Sequence, residues 1–338
     1  MTRIGGYFLL ACGCLLLAWT TARGGAAMAQ PGQAASSRTM AAQAAPALSP
    51  DASEAEPAAE LPAAEAELRV QLGRTPDSAE LLYRLALVLR EERKPKESLT
   101  VYTQAAGHRR PTAEELRSVA LDYVQLGDYE DAVHWLKVAL GLDPKDAAVL
   151  YSLGRCLYTQ DHYQEAADAF LAALKLSPAD AKVEENLGLT FEALHRLPEA
   201  EAAMRQAVES AGQDSKNTPE SAGAMAASEQ DPWPYLNLGS LLVDEQRYDE
   251  AIPFLQKAEA ISPQMAEPHE KTGRALLASG KRPEATKELE TAETLDPKNA
   301  QVHFELGRAY WNAGEKDKAR AEFALSQSLY GTHSKTDY

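Results

Sequence analysis

A small residue returns along this chain at a fixed interval. Ala120, Gly154 and Gly188 are spaced by 34, and Gly239, Gly273 and Gly307 repeat that interval. Twelve residues after each stands an alanine, at Ala132, Ala166, Ala200, Ala251, Ala285 and Ala319. In four of the six a proline follows after a further twelve, at Pro144, Pro178, Pro263 and Pro297. A period of this length marks an array of stacked units, each covering an apolar face that its neighbour leaves open.

Residues 147–180 show what one unit is. Leu150, Leu153, Leu157 and Tyr158 recur at helical spacing, as do Ala166, Ala169, Phe170, Ala173 and Leu174. The stretch Asp161–His162–Tyr163 turns the chain between them. Pro178 ends the second helix, because it lacks an amide hydrogen and its ring clashes with a continuing helix. The unit is therefore two antiparallel helices. Gly154 on the first and Ala166 on the second remove the bulk that would hold the backbones apart at their crossing.

In register, this pattern resembles the tetratricopeptide repeat. That family favours a bulky residue at position 4, Leu at 7, Gly or Ala at 8, Ala at 20 and 27, and Pro at 32. Leu150, Leu153, Gly154, Ala166, Ala173 and Pro178 fit, and the match recurs at 79–112, 113–146, 181–214, 232–265, 266–299 and 300–333. The departures are Ser98 for Ala, Glu184 and His269 at the bulky position, Thr272 for Leu, Gly212 for Pro, and Ser326 for Ala in a last unit without Pro. The resemblance implies an all-α, right-handed superhelical solenoid of about seven antiparallel helix pairs. Residues 61–78 read as an N-terminal capping helix. Units 1–4 occupy 79–214 and units 5–7 occupy 232–333, with a flexible insertion at 215–231 and a tail at 334–338.

The N-terminus reads as an export signal. A basic start precedes a short apolar run from Tyr7 to Trp19, and Ala27–Met28–Ala29 offers a small-x-small cleavage site. Residues 1–29 are thus expected to be a signal peptide, and 30–60, rich in Ala, Gln, Pro and Ser, a disordered tether. An uncleaved anchor over residues 4–19 and a lipid on Cys12 stay open as alternatives to a periplasmic or secreted chain. Cys12 and Cys14 lie inside the signal, so Cys156 has no partner for an internal disulfide and reads as a buried core residue. The formal charge of −16 argues against a nucleic-acid backbone as partner.

No catalytic constellation appears: no HExxH, no phosphate-cradling glycine loop, no GxSxG and, in the repeats, no CxxC. His269 and His303 occupy equivalent positions of adjacent units. Without a third and fourth ligand in sight they read as core or half-exposed histidines, so no cofactor or metal is expected. What remains is a groove. In the resembled family the first helices line the concave side through positions 2, 5, 9 and 12. Carried over, these positions hold six basic and six acidic residues, against 34 and 50 in the chain. They include Tyr151, Arg155, Tyr158, Trp233, Arg274, Phe304, Arg308 and Trp311, residue types that dominate interface energetics. Tyr151 and Tyr158 could equally pack between units. The resemblance thus implies a non-catalytic scaffold that binds a peptide segment or partner protein, and the export signal leads to the expectation of a cell-envelope assembly; an accessory repeat subunit of a separate envelope enzyme is the alternative. With no extra helix after Tyr330, the last repeat is also expected to offer an edge for self-association.

Overall fold

The computed structural model describes Leu48 and residues 60–217 and 231–333. The segments read as signal peptide, as most of the tether and insertion, and as tail lie outside these. Among the described residues there are fifteen helices and no strand. They form two compact units that divide between Leu142 and Asp143. The first holds α1 (Leu61–Arg74), α2 (Ala79–Glu91), α3 (Pro95–His108), α4 (Ala113–Gln125) and α5 (Tyr129–Leu142). The second holds α6 (Ala147–Thr159), α7 (Tyr163–Leu176), α8 (Ala181–Ala193), α9 (Leu197–Asn217), α10 (Trp233–Asp244), α11 (Tyr248–Ile261), α12 (Ala266–Ala278), α13 (Arg282–Leu295), α14 (Ala300–Ala313) and α15 (Lys316–His333). In the first unit α1 packs on α2, burying Leu68 beside Leu85 and Leu89. Each even-numbered helix then pairs with the one that follows it.

The turn inside each pair has one backbone geometry, used seven times. Arg93, Gly127, Asp161 and His195 stand 34 apart with positive φ, and so do Gln246, Gly280 and Gly314. Around each, two bonds close the helix end. For Asp161, its N–H donates to the carbonyl of Tyr158 and the N–H of His162 to that of Leu157. The other six turns carry the same two bonds at the same offsets. This is the left-handed Schellman stop, which satisfies carbonyls the helix would leave orphaned. The first helices begin on side-chain caps where the sequence supplies them. Asp146, Asp180 and Asn299 each accept from two backbone N–H groups, and Thr112 forms a capping box with Glu115.

Second helices stop after 14 residues where a proline waits beyond them, as in α5, α7, α11 and α13. Gly212 stands where α9 would meet that proline, and α9 runs on to 21 residues. The last unit also lacks it, and α15 reaches 18. The break in composition at 215–231 does not separate two packed blocks. α10 packs on both α8 and α9. Arg247 reaches across to Glu201 at 2.8 Å and holds Glu250 at 2.7 Å.

The helix crossings are as close as the small residues require. A Cβ added to Gly154 would sit 2.6 Å from Cε1 of Phe170, and one on Gly188 2.6 Å from Cγ of Met204. Gly239, Gly273 and Gly307 meet Leu255, Leu289 and Phe323 in the same way. Ala120, Ala132, Ala166, Ala200, Ala251, Ala285 and Ala319 are fully buried. Two departures from the alanine pattern become intelligible here. Ser98 Oγ lies 2.8 Å from the Ala86 carbonyl, and Ser326 Oγ lies 2.8 Å from the Ala300 carbonyl. A hydroxyl is small enough for the crossing and finds a backbone acceptor inside it. Cys156 is buried and forms no disulfide among the described residues. No helix among the described residues is long and apolar enough to cross a membrane.

Candidate protein-binding face

The eight predicted groove residues all lie on first helices of the second unit: α6, α10, α12 and α14. Their settings differ sharply. Tyr158 is only 6% exposed, with its ring edge-on to Tyr163 at 5.1 Å, and burial raises its pKa. Its ring packs against α7 and does not lie open. Tyr151 is half-buried, 6.1 Å from the Phe170 ring, with the Arg155 guanidinium 5.9 Å from its own. Its hydroxyl receives long contacts of 3.4 Å from Arg155 and from the Asn186 amide. Trp233 is half-buried at the start of α10, where its backbone N–H donates to Asp231 Oδ1. Arg274 is held by Asp244 at 2.9 Å.

Phe304, Arg308 and Trp311 form the open part. They follow one another at i, i+4 and i+7 on α14, which puts them on one side of the helix. Phe304 is 42% exposed and Trp311 51% exposed. Phe304 is backed by Phe323 of α15 at 5.8 Å. Arg308 donates to Glu305 at 2.7 Å, and Gln301 donates to the other oxygen of the same carboxylate. Glu305 is buried, so its charge fixes the guanidinium from below while the remaining N–H groups stay available. Lys316 Nζ stands 5.8 Å from the Trp311 ring.

Sequence reasoning missed how much of the neighbouring face is already occupied. Asn237 Nδ2 donates to the fully buried Glu185 at 2.6 Å, linking α10 to α8. Asn186 Nδ2 donates to the Lys182 carbonyl at 2.6 Å. Both amides are therefore turned inward, toward this chain's own acceptors. Burial, reinforced by Asp244 and opposed by Lys271, pushes Glu192 up to about 7. Burial also raises Glu270. The visible signal for the Asn237–Glu185 link was an asparagine one position past a carboxylate's register, which is too common to single out. His269 and His303 do not lie on this face; each sits among carboxylates where three helices meet.

The family model described as "Tetratricopeptide repeat" matches residues 120–181, 158–215 and 271–331, and a second of the same description matches 242–293. Together they cover 120–215 and 242–331, more than half of the 338 residues. Several solved structures are similar. One, described as "Functional Characterization of Pseudomonas Aeruginosa pilF", is 20% identical, with 68% of this chain and 96% of that one covered and a TM-score of 0.55. PilW, described as a widely conserved type IV pilus biogenesis factor, is 18% identical, with 65% and 94% covered and a TM-score of 0.54. A tetratricopeptide repeat protein from Parabacteroides merdae is 18% identical, with 74% and 92% covered and a TM-score of 0.53. At these identities the likeness establishes the fold. No curated protein matches the chain by sequence.

Proposed function

Because this chain belongs to the tetratricopeptide repeat family, we propose that it is an exported, non-catalytic scaffold that binds a segment of another protein within a cell-envelope assembly. The observation that carries this reading is the Phe304–Arg308–Trp311 row on α14. Two exposed aromatic rings flank a cation whose orientation is already set by Glu305. Such a row suits an extended or helical peptide that presents one carboxylate between two apolar side chains. The rings supply apolar area at little conformational cost, and the guanidinium fixes register. The export half of the proposal rests on the apolar run Tyr7–Trp19 and on Ala27–Met28–Ala29.

The test begins with affinity capture from an envelope fraction, followed by titration of the captured partner. Trp311→Ala is expected to weaken binding by about 2 kcal/mol or more, roughly thirty-fold, as for a central interface aromatic. Arg308→Ala should weaken it less, with a larger effect at low salt. Unchanged affinity in both variants would remove this row from the binding site.

A further inference from the structure

Two side-chain groups that the binding role does not use have the same composition and the same register. Glu259, His269 and Glu288 converge from α11, α12 and α13. Glu293, His303 and Glu322 converge from α13, α14 and α15. Every member of the second set is 34 residues beyond its counterpart in the first. In each set one atom per residue, an imidazole nitrogen or a carboxylate oxygen, lies within 4.8 Å of the other two. Nδ1 of His269 is 2.8 Å from Glu288 Oε2 and 3.9 Å from Glu259 Oε1. Nδ1 of His303 is 2.8 Å from Glu322 Oε2.

These positions are apolar or unmatched where the repeat is ordinary. Their equivalents one interface earlier are Val208, Tyr235 and Phe254, two interfaces earlier Leu174, Glu184 and Ala203, and in the first unit Ala106, Leu116 and Trp135. Placing two carboxylates and an imidazole there is unfavourable unless a positive charge joins them. His303, 1% exposed, shows how that charge would be received. Its Nε2 is 3.0 Å from the Pro297 carbonyl, which lies outside the set and accepts only an N–H. Nδ1, at 2.8 Å from Glu322 Oε2, donates its own N–H to that carboxylate; a bound ion would displace this proton and take its place, while Nε2–H stays on the Pro297 carbonyl. A backbone carbonyl that fixes the tautomer in this way is the usual outer support of a metal-binding histidine. In the first set Glu259 Oε1 is buried without a hydrogen-bond partner and faces the same nitrogen.

We propose that each Glu–His–Glu set binds one divalent transition-metal ion of the zinc class, through Nδ1 of the histidine and one oxygen of each carboxylate. Tetrahedral ligands at about 2.0–2.1 Å from zinc stand roughly 3.4 Å apart, within the span these atoms already cover. A mixed nitrogen and oxygen set favours zinc over magnesium, which demands octahedral oxygen ligation. Each ion would tie the second helix of one repeat to both helices of the next.

The experiment uses the full chain without an affinity tag, stripped with chelator, dialysed against zinc and then against metal-free buffer, and analysed for bound metal. The expected result is one zinc ion for each of the two sets, with no displacement by excess magnesium. Glu288→Gln and Glu322→Gln should each lose one ion, and the double variant both. Glutamine keeps the size of glutamate, and circular dichroism checks that the helices persist. The parent measurement decides by itself if a variant fails to fold. A parent chain that retains no zinc overturns the proposal, as does a folded double variant that retains as much as the parent.

Discussion

Replacing Gly154 by alanine sets two effects against each other at one atom. Alanine in a helix interior is favoured over glycine by about 1 kcal/mol. Against this, the new Cβ would lie 2.6, 2.7 and 2.8 Å from three atoms of the Phe170 ring. Carbon atoms rest at about 3.5–4.0 Å, so the gap is short by roughly 1 Å. Phe170 is fully buried and its ring is rigid, so the strain must pass into the α6–α7 crossing. Overpacking of this kind costs about 1–3 kcal/mol, giving a net loss of up to about 2 kcal/mol. Gly212 provides a control in the same unit. It lies inside α9, and its added Cβ would meet only Tyr235 Oη at 4.0 Å. Gly212→Ala should stabilise by about 0.4–1 kcal/mol. Phe170→Leu supplies a rescue, since it recreates the pairing of Ala120 with Leu136 at the same register of the first unit. Denaturant unfolding followed by circular dichroism of the two single variants and their double should show a favourable coupling of about 1 kcal/mol. If Gly154→Ala were as stable as Gly212→Ala, or if Phe170→Leu gave no relief, the close-crossing account of the repeat would be wrong.

Asp122 should make stability pH-dependent. Its carboxyl is fully buried, and burial pushes it up to about 8, opposed by Ser98 and Arg90. Ser98 Oγ lies within 2.8 Å of the Ala86 carbonyl and 2.7 Å of Asp122 Oδ2, yet has one proton. With that proton on the carbonyl, Asp122 supplies its own. The folded state then binds a proton that the unfolded state has released, so stability falls as pH rises from about 4 to about 8, by at most about 1.4 kcal/mol per pH unit. Unfolding midpoints across that range should flatten in Asp122→Asn; an unchanged slope would refute the assignment. Gln246 holds φ at 64° in a turn where Gly280 and Gly314 serve the equivalent units. Gln246→Gly should therefore be neutral or stabilise by up to about 1 kcal/mol, and a marked loss in a thermal melt would contradict the Schellman reading.

The helix pairs were legible because glycine and alanine at a crossing have no substitute of larger size, so Gly154 and Ala166 advertise the contact they make. Proline did the same for helix ends; its absence at Gly212 was visible, but that α9 would run on to Asn217, into the stretch expected to be flexible, was not foreseen. The turn geometry was hidden. Only three of the seven left-handed positions carry glycine, while Arg93, Asp161, His195 and Gln246 accept the conformation because the hydrogen bonds around it impose it. The candidate face was legible in outline but not in depth. Periodicity assigns Tyr158 and Trp311 to the same side of their helices, and cannot say that one ring is covered by Tyr163 while the other stays open. The two Glu–His–Glu sets need three helices to assemble, and the 34-residue echo of the histidines was visible without showing which carboxylates would face them.

The overrun of α9 has a practical corollary. Seven extra residues, at about 1.5 Å each, carry the chain roughly 10 Å past the point where its sister helices stop. Behind that extension α10 still packs on both α8 and α9. A fluorophore attached at the exposed Gln213, within that extension, would leave the repeat contacts intact.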